Sequence, residues 1–523
     1  MADIDWDHHC DVLVVGSGAG ALAGALVAAT AGLRTVVIEK TDQFGGTTAF
    51  SGGGLWMPLS GPNERAGVAD SREQVERYLD ATVGGERRDL RDAYLDAGPG
   101  VIAELEDNPW LEFEWRPFPD YFCEVPGAQT EGRSIYALNF DATDHEDAVG
   151  HLRAPLPPEK GGWKEPFPLI IGGRALLARL LVALGRTDAV LMRQTELESL
   201  VVSGGRVVGA RARQGDSTIS IGADRGVLLA AGGFERDGDM RRRHQPPLGA
   251  DWTLGAPGNT GGALRAAVEA GAGTELLEEC WWAPGLMLPD GTPSFRLFER
   301  GKPGSIMVNG AGVRFADETW PYDRLGRAMV DGHRSGVSHM PCWFIADRAH
   351  VERYGFAAAR PGRDIGAEWF DSGAVVTASS PAELAGAIGV PAAALTRTIE
   401  EWNASAAMGK DPAYGRGELA YDRFFGDAGH LPNPCVGPLE KAPFYAWKVM
   451  PADLGTKGGV RCDTSGRALR PDGTVLPGLY AAGNTMASWT NHCYPGPGSP
   501  IGSCVVFAAL ACRDMIASGP SSS

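Results

Sequence analysis

Apolar residues near the N-terminus fall into two short strand-like runs around one helical stretch. Residues 11–15 form a buried-strand pattern, and a glycine-rich turn follows at residues 16–21. Residues 22–31 have the pattern of an apolar helix, and residues 35–39 form the second apolar run. This succession predicts a βαβ unit, in which two parallel strands are joined by a helix.

The pattern changes several times in the next two hundred residues. Residues 71–107 predict two polar helices that are interrupted at Gly98-Pro99, and residues 172–184 predict another helix. Residues 121–168 are rich in proline, glycine and aromatic residues, which favours loop structure. Alternating apolar and polar positions then predict a small antiparallel meander. Its strands are expected at residues 197–202, 206–212 and 217–221.

A buried strand ending in glycine returns at residues 226–233 and again at residues 475–483. Between these two strands, the sequence becomes richer in Trp, Tyr, Arg and Pro, and the βαβ pattern is lost. We therefore predict an α/β fold in which a Rossmann-like domain holds an inserted α+β domain. The predicted limits are 1–288 for the first part of the Rossmann-like domain, 289–451 for the insertion, and 452–523 for the second part.

Composition narrows the class of protein. The 523 residues are 44% hydrophobic and 22% charged, which is typical of a soluble enzyme. A net charge of -17 argues against nucleic acid as a partner. The acidic N-terminus does not have the pattern of a signal peptide. No apolar run approaches the ~20 residues that a transmembrane helix needs. The Ser/Pro tail at 518–523 is expected to be disordered.

Nine cysteines are scattered along the chain without a Cys-x-x-Cys spacing. An odd number of dispersed cysteines favours reduced thiols, and therefore a cytoplasmic protein, over a disulfide framework. The histidines also lack the spacing of metal ligands, so we expect no metal site.

The turn after the first strand predicts a dinucleotide site. Gly16 and Gly18 allow a tight turn and let a pyrophosphate approach the N-terminus of the helix. Ala21 stands where a third glycine is usual. Glu39, 23 residues after Gly16, ends the second strand, where an acidic side chain binds a ribose hydroxyl.

Two further segments favour FAD over NAD as the cofactor. Thr47, Thr48 and the run 51–54 extend the site, and the segment 482–484 returns to it late in the chain. A nicotinamide dehydrogenase needs no such returning strand. The predicted cofactor-binding residues are Gly16, Gly18, Ala19, Gly20, Glu39, Lys40, Gly46, Thr47, Thr48, Ser51, Gly52, Gly53, Ala231, Gly232, Gly483, Asn484, Pro500 and Ile501.

The segment from Tyr494 to Gly498, Tyr-Pro-Gly-Pro-Gly, is the most informative candidate for chemistry. Two prolines restrict the loop, so a phenol and a backbone N–H can be aimed at one point. Two convergent donors are what a carbonyl oxygen needs when enolate charge develops on it. The alternative is a stiff turn that only shapes the wall of the cofactor site.

With these segments assembled, the chain resembles the 3-ketosteroid Δ1-dehydrogenases, which belong to a flavoprotein superfamily with fumarate reductase and succinate dehydrogenase. The resemblance implies a discontinuous FAD domain holding an inserted catalytic domain. It also implies α,β-desaturation of a cyclic ketone. The similar segments are residues 11–54, 308–315, 318–322, 339–345 and 478–502.

The resemblance also implies residue roles. Tyr322, in Pro321-Tyr322, matches the tyrosine that acts as base, and Tyr494 with Gly498 matches the pair that binds the ketone. Tyr121 matches the proton relay, although a pocket-wall aromatic is the alternative for this residue. Gly46 or Thr47 stands where covalent relatives carry a histidine, so the resemblance implies non-covalent FAD.

The substrate stays open at this stage. Residues 135–184 depart from the usual steroid-enzyme sequence, and other relatives desaturate smaller cyclic ketones such as cyclohexanone and 4-oxocyclohexanecarboxylate. Arg174, Arg296 or Lys164 are candidates to pair with a carboxylate. The electron acceptor is unknown.

Two other classes of function compete with desaturation. A fumarate-reductase-like enzyme would use an arginine such as Arg314 or Arg334 as proton donor. A flavin-binding protein without turnover of its own is the third possibility.

Overall fold

The computed structural model describes residues 5–160, 162, 165–245, 248–296, 299–357, 361 and 365–518. Lys164 and most of the predicted tail at 518–523 lie outside the described residues. In chain order the strands are β1 (His8–Val15), β2 (Thr35–Ile38), β3 (Gly54–Trp56), β4 (Phe113–Trp115), β5 (Ser134–Ala137), β6 (Phe140–Asp141), β7 (Leu169–Ile170), β8 (Val190–Met192), β9 (Thr195–Ser203), β10 (Arg206–Gln214), β11 (Ser217–Leu229), β12 (Thr274–Glu275), β13 (Cys280–Met287), β14 (Pro293–Phe295), β15 (Ser305–Val308), β16 (Cys342–Asp347), β17 (Val375–Ala378), β18 (Phe444–Thr456), β19 (Gly459–Val460), β20 (Arg467–Leu469) and β21 (Val475–Ala481).

The α-helices are α1 (Ala19–Thr30), α2 (Gly61–Arg65), α3 (Arg72–Thr82), α4 (Arg88–Glu106), α5 (Glu146–Val149), α6 (Gly172–Leu184), α7 (Gly238–His244), α8 (Gly262–Glu269), α9 (Tyr322–Arg334), α10 (Arg348–Tyr354), α11 (Ala367–Asp371), α12 (Pro381–Ile388), α13 (Ala392–Ala406), α14 (Ala420–Phe425) and α15 (Ser499–Ala517).

An eight-stranded sheet carries the dinucleotide-type part of the fold. Its main path runs β20-β21-β11-β1-β2-β8, and β10 and β9 extend it from β11. The strands from β21 to β8 are parallel, as their continuous apolar runs predict, whereas β20 is antiparallel. The predicted βαβ unit is confirmed as β1-α1-β2, and one large apolar core surrounds this sheet.

The prediction that residues 121–168 are largely loop is confirmed, since β5, β6 and α5 are the only strands and α-helix that the described part of this segment contains. Two other local predictions were wrong. The helix α4 runs through Gly98-Pro99, and the break falls between α3 and α4 at residues 83–87. The segments 217–221 and 226–233 belong largely to one strand, β11, which pairs antiparallel with β10 and then parallel with β1.

A six-stranded antiparallel sheet forms the middle of the chain. Its path is β14-β13-β18-β16-β15, with β17 pairing to β18. Successive residues of β16 point to opposite faces, so Phe344 packs in one apolar core and Trp343 and Ile345 in another. The sheet begins at Cys280 and ends at Thr456, just outside the predicted insertion 289–451. The domain limits themselves stay a prediction.

The long apolar helix α15 was not predicted from the sequence pattern. Its 19 residues have a mean hydropathy of 1.5, so by length and composition it is the one candidate membrane span among the described residues. It packs against α1, α4 and β3. Because 56% of the helix window is buried inside the protein, it serves as a core helix of the dinucleotide-type part.

Candidate active site

A cavity of ≈ 670 Å³ lies at the carboxyl end of β1, where α1, α15 and the antiparallel sheet converge. Every predicted cofactor-binding residue, from Gly16 to Ile501, lines this cavity. So do all four predicted catalytic residues: Tyr121, Tyr322, Tyr494 and Gly498. The chain thus brings segments more than 480 residues apart into one space.

The turn between β1 and α1 requires glycine at its first position. Gly16 has φ +105°, and a Cβ there would lie 2.4 Å from the carbonyl oxygen of Ala230 at the end of β11. Gly18 is the N-cap of α1 and has no side chain to offer the first N–H groups of the helix. Backbone donors at this end therefore face the cavity, which suits a pyrophosphate.

Replacing Gly16 by alanine is expected to weaken FAD retention while leaving the fold in place. The added methyl group clashes with the backbone at Ala230 and needs an unfavourable positive φ, a cost of about 2 kcal/mol or ~30-fold in affinity. The dissociation constant is measured by titrating apoprotein with FAD and following flavin fluorescence. Gly32→Ala is the matched control, because Gly32 has φ +81° but open space around it. Equal affinity of both variants for FAD would contradict the assignment of the turn at Gly16 to FAD binding.

Glu39, the predicted ribose ligand, lies on the cavity wall just after β2. Its side chain lines the cavity, and it accepts hydrogen bonds from the Ser17 hydroxyl at 2.6 Å and the Thr41 N–H at 2.9 Å. These donors fix the carboxylate and leave lone pairs for a further hydroxyl. The predicted neighbour Lys40 is ion-paired with Glu196 at 3.2 Å.

The second group of cofactor residues is held by a network of short contacts. The Thr47 hydroxyl accepts from the Ala256 N–H and from Asn259, each at 2.9 Å. The Ala19 N–H donates to the Thr48 hydroxyl at 3.2 Å. Late in the chain, the side-chain amide oxygen of Asn484 accepts a hydrogen bond from the Trp281 indole N–H at 3.0 Å. These contacts give the cavity fixed walls of the kind that a dinucleotide needs.

Three tyrosines meet on one wall of the cavity. The ring centroids of Tyr121, Tyr322 and Tyr494 are 5.5, 5.0 and 5.4 Å apart for the pairs 121/322, 121/494 and 322/494. All three side chains are buried, with exposed fractions of 2, 6 and 4%. The aromatic cluster therefore places three hydroxyl-bearing side chains around one point of the cavity wall.

Burial governs the electrostatics of this cluster. It raises the pKa of Tyr322 well above its ordinary value, and the nearby Tyr494 adds to the rise, whereas a hydrogen bond with Tyr121 lowers the pKa. Burial also raises the pKa of Tyr494, while its contacts with Tyr322 and the Gly498 N–H lower it. Tyr322 therefore interacts with both neighbouring tyrosines, and its interaction with Tyr121 favours the Tyr322 anion, which suits proton transfer within the cluster.

Tyr322 sits at a position that favours its anion. It is the first residue of α9, whose 13 residues begin directly after Pro321. Side chains of a helix lean toward its N-terminus, where the helix dipole is positive. This dipole opposes the effect of burial and stabilises a phenolate at Tyr322.

The loop of Tyr494 is fixed by its backbone. Gly498 is the N-cap of α15 with φ +86°, and a Cβ there would lie 2.1 Å from the Gly54 carbonyl oxygen. The Pro497 carbonyl accepts from the Ser134 hydroxyl at 2.6 Å, and the Pro495 carbonyl accepts from the Tyr121 N–H at 3.2 Å. The loop is therefore held rigidly beside both Tyr121 and the cofactor segment 51–54.

The arginines considered for other functions lie elsewhere, with one exception. Arg314 is ion-paired with Glu318 and Asp411, each at 2.8 Å, and stacks on Trp402. Arg334 is half-exposed at the end of α9, and Arg174 is ion-paired with Glu165. None of these three is among the described residues that line the cavity, whereas Arg296 is. The reductase hypothesis thus loses the two arginines that were named for it, Arg314 and Arg334.

Sequence reasoning missed the aromatic walls around the tyrosines. Trp281 packs 5.0 Å from Tyr494 and Phe295 packs 5.1 Å from Tyr322, both measured between ring centroids. Phe118 lies 6.4 Å from Tyr121. A bulky pair, Trp281-Trp282, inside an apolar run was the one visible signal, but such a pair is equally typical of a core strand.

Each of the nine cysteines carries a free thiol. Among residues 5–518 apart from the short undescribed gaps, no group of three or more His, Cys, Asp or Glu side chains is placed to hold a metal ion.

The chain was then compared with known proteins. The FAD binding domain family matches residues 11–501. A 3-oxosteroid 1-dehydrogenase of Mycobacterium tuberculosis is 41% identical over 96% of this chain and 97% of its own length. A 4-oxocyclohexanecarboxylate 2-dehydrogenase of Sinomonas cyclohexanicum is 36% identical over 96% of this chain and 92% of its own length.

Among solved structures, a 3-ketosteroid Δ1-dehydrogenase from Sterolibacterium denitrificans, crystallised with 1,4-androstadiene-3,17-dione, has a similar fold. The TM-score is 0.91 at 33% sequence identity, and the match covers 98% of this chain and all of the other. The architecture inferred from the sequence is thus that of a known group of flavoproteins.

Proposed function

This chain belongs to the FAD-binding flavoproteins of the 3-ketosteroid Δ1-dehydrogenase type, and from that premise we propose that it desaturates the C1–C2 bond of a 3-ketosteroid. It is an FAD-dependent oxidoreductase acting on CH–CH groups. The single observation that carries the substrate proposal is the cluster of Tyr121, Tyr322 and Tyr494 on the wall of the cofactor cavity.

In the proposed reaction, the Tyr494 hydroxyl and the Gly498 N–H hold the ketone oxygen. Both groups lie at the start of α15, and the fixed loop keeps them in place before substrate arrives. As the α carbon loses its proton, negative charge grows on the ketone oxygen. Preorganised donors stabilise this charge more than they stabilise the neutral ketone, and that difference lowers the barrier.

Tyr322 takes the α proton as its phenolate. Tyr121, whose ring centroid lies 5.5 Å from that of Tyr322, then passes the proton on and restores the base. Bound FAD supplies the acceptor for the hydride that leaves the β carbon. The aromatic walls at Trp281, Phe295 and Phe118 limit the access of water to the oxygen and the base.

Anaerobic flavin bleaching tests this function. Purified holoenzyme is mixed with androst-4-ene-3,17-dione, 4-oxocyclohexanecarboxylate or cyclohexanone, and the oxidised flavin absorbance is followed. We expect rapid bleaching by the steroid. Bleaching by none of the ketones would overturn the proposal. Reoxidation of reduced enzyme by fumarate would instead support a reductase.

The rate of desaturation should rise from neutral toward alkaline pH. Burial raises the pKa of Tyr322, so only a small fraction is phenolate at pH 7, and this fraction grows about tenfold per pH unit. We expect kcat/KM for the steroid to follow that slope between pH 7 and pH 9. A flat profile over this range, with stable enzyme, would argue against a phenolate base.

A smaller cyclic ketone acid is the second candidate substrate. Arg296 lines the cavity and is held near Glu299 at 3.4 Å, so a cation is present on the wall. The relative from Sinomonas cyclohexanicum also favours this reading. The steroid is preferred because the wall next to the tyrosines is aromatic, which suits fused apolar rings.

Three further assignments are proposals as well. We propose that FAD is held without a covalent bond, since Gly46 and Thr47 provide no histidine to attach it. Nine free thiols favour a cytoplasmic enzyme, which cell fractionation with an antibody tests. The FAD part is proposed to comprise residues 1–288 and 452–523, and the catalytic part residues 289–451.

A further inference from the structure

A lysine is buried behind the tyrosine cluster. Lys457 has no exposed surface, and its ammonium group donates to the Cys493 carbonyl oxygen at 2.7 Å. The same group lies 4.2 Å from the ring centroid of Trp281. Trp281 in turn packs against Tyr494, so one indole separates the cation from the ketone-binding phenol.

Lys457 belongs to a small network of charges that fastens the Tyr494 loop. Glu279 is ion-paired with Arg327 at 2.6 Å and bonds the His492 ring at 2.7 Å. Arg327 also donates to the His492 carbonyl at 2.8 Å. The two residues before Tyr494 are therefore held by this network through both backbone and side chain.

The network also reaches the base. Asp323, directly after Tyr322 in α9, is buried and accepts the Trp282 N–H at 2.9 Å. Burial raises the pKa of Asp323, whereas Lys457 and Arg327 lower it and so favour its charged form. The negative charge of Asp323 in turn raises the pKa of the Tyr494 phenol and so disfavours its anion.

We propose that Lys457 is a positioning residue for the ketone site, which rests on the reaction proposed above. Its ammonium group holds the Tyr494 loop through Cys493, and its positive charge offsets the negative charge of Asp323, the residue next to Tyr322. Without it, a buried carboxylate would oppose the anion that the reaction forms.

The charges around Lys457 decide whether its loss stabilises or destabilises an anion at the ketone site. Asp323 and Glu279 are acidic, Arg327 is basic, and Cys493 is a neutral thiol whose pKa burial raises to about 12. Burial lowers the pKa of Lys457, but Asp323 and Glu279 act against this and favour the ammonium form. Loss of this cation leaves the network one unit more negative.

The test uses holoenzyme and a phenolic ligand. Estradiol, whose A ring is a phenol, offers its oxygen in place of the enolate oxygen, and its ionised form over oxidised flavin is detected as a long-wavelength charge-transfer band. The pH midpoint of this band is compared in wild type, Lys457→Met and Lys457→Arg. A cavity of ≈ 20 Å³ beside Lys457 gives room for the larger cation.

We expect Lys457→Met to raise the midpoint by about one pH unit, since the lost charge is within ~10 Å of the oxygen. The kinetic profile should shift by the same amount, with kcat at pH 8 falling about tenfold and KM changing little. Lys457→Arg should stay close to wild type. An unshifted midpoint in Lys457→Met overturns the proposal, even if turnover falls.

Asp323→Asn is a second variant, for which we expect a shift of the pH midpoint in the opposite direction. The proposal can therefore still be tested if Lys457→Met does not fold. Asparagine retains an oxygen for the Trp282 N–H but removes the negative charge. The midpoint should then fall, a change that structural damage alone does not produce. A rise or no shift contradicts the charge argument. The proposal for Lys457 is also overturned if the wild-type enzyme does not bind estradiol as a phenolate. If instead no ketone bleaches the flavin, only the proposed function is overturned.

Discussion

Replacing Tyr322 by phenylalanine should lower kcat for steroid desaturation by about 10³-fold, the usual contribution of a positioned base. The ring is kept, so its packing at 5.1 Å from Phe295 and 5.4 Å from Tyr494 is preserved. Only the hydroxyl that accepts the α proton is lost. FAD should stay bound, because the glycine turn between β1 and α1 is unchanged in this variant. Stopped-flow measurement of anaerobic flavin reduction gives the rate directly.

Tyr421→Phe is the matched control for this experiment. Tyr421 is as deeply buried as Tyr322, and its ring packs 5.4 Å from Tyr121. It is not among the described residues that line the cavity, and within them its hydroxyl has no hydrogen-bond partner. We expect turnover close to wild type. If both variants lose activity equally, or if Tyr322→Phe retains it, Tyr322 is not the base.

Replacing Tyr494 by phenylalanine should reduce kcat about 100- to 1000-fold, or roughly 3–4 kcal/mol, the range for loss of one oxyanion donor. The Gly498 N–H remains, so some stabilisation of the ketone oxygen is kept. Ring packing on Trp281 and Tyr121 is also preserved. Steady-state kinetics with the steroid and an artificial dye acceptor measure the loss.

The pH dependence separates the two tyrosine roles. Tyr494→Phe keeps the base, so its kcat/KM should still rise toward alkaline pH, but from a lower level. Tyr322→Phe should lose this dependence together with the activity. A Tyr494→Phe enzyme within threefold of wild type would show that the ketone oxygen is held by other groups.

The cofactor cradle could be predicted from the sequence because its chemistry is local. Gly16, Gly18 and Glu39 stand at fixed spacing within a single βαβ unit, and backbone geometry alone requires the glycine at position 16. The roles given to Tyr322 and Tyr494 depended instead on the family resemblance. The structure places both on the cavity wall, while their roles stay predictions until the variants are measured.

Other features depend on contacts between distant segments and left no local signal. Lys457 follows an ordinary strand, and only its contacts with Cys493 and Trp281 make it notable. The helix α4 tolerates Pro99 because tertiary packing holds it, with Val101 and Ile102 fully buried in the core. A rule based on proline alone places the break wrongly.

The meeting of α1 with α15 has a consequence for how the protein is made. One wall of the cavity is the turn at Gly16, near the start of the chain, and the facing wall is Pro500 and Ile501 in the last helix. While the ribosome is still at work, the emerging polypeptide has only half of the pocket. Capture of FAD is therefore expected only after the ribosome has translated the segment through Ile501.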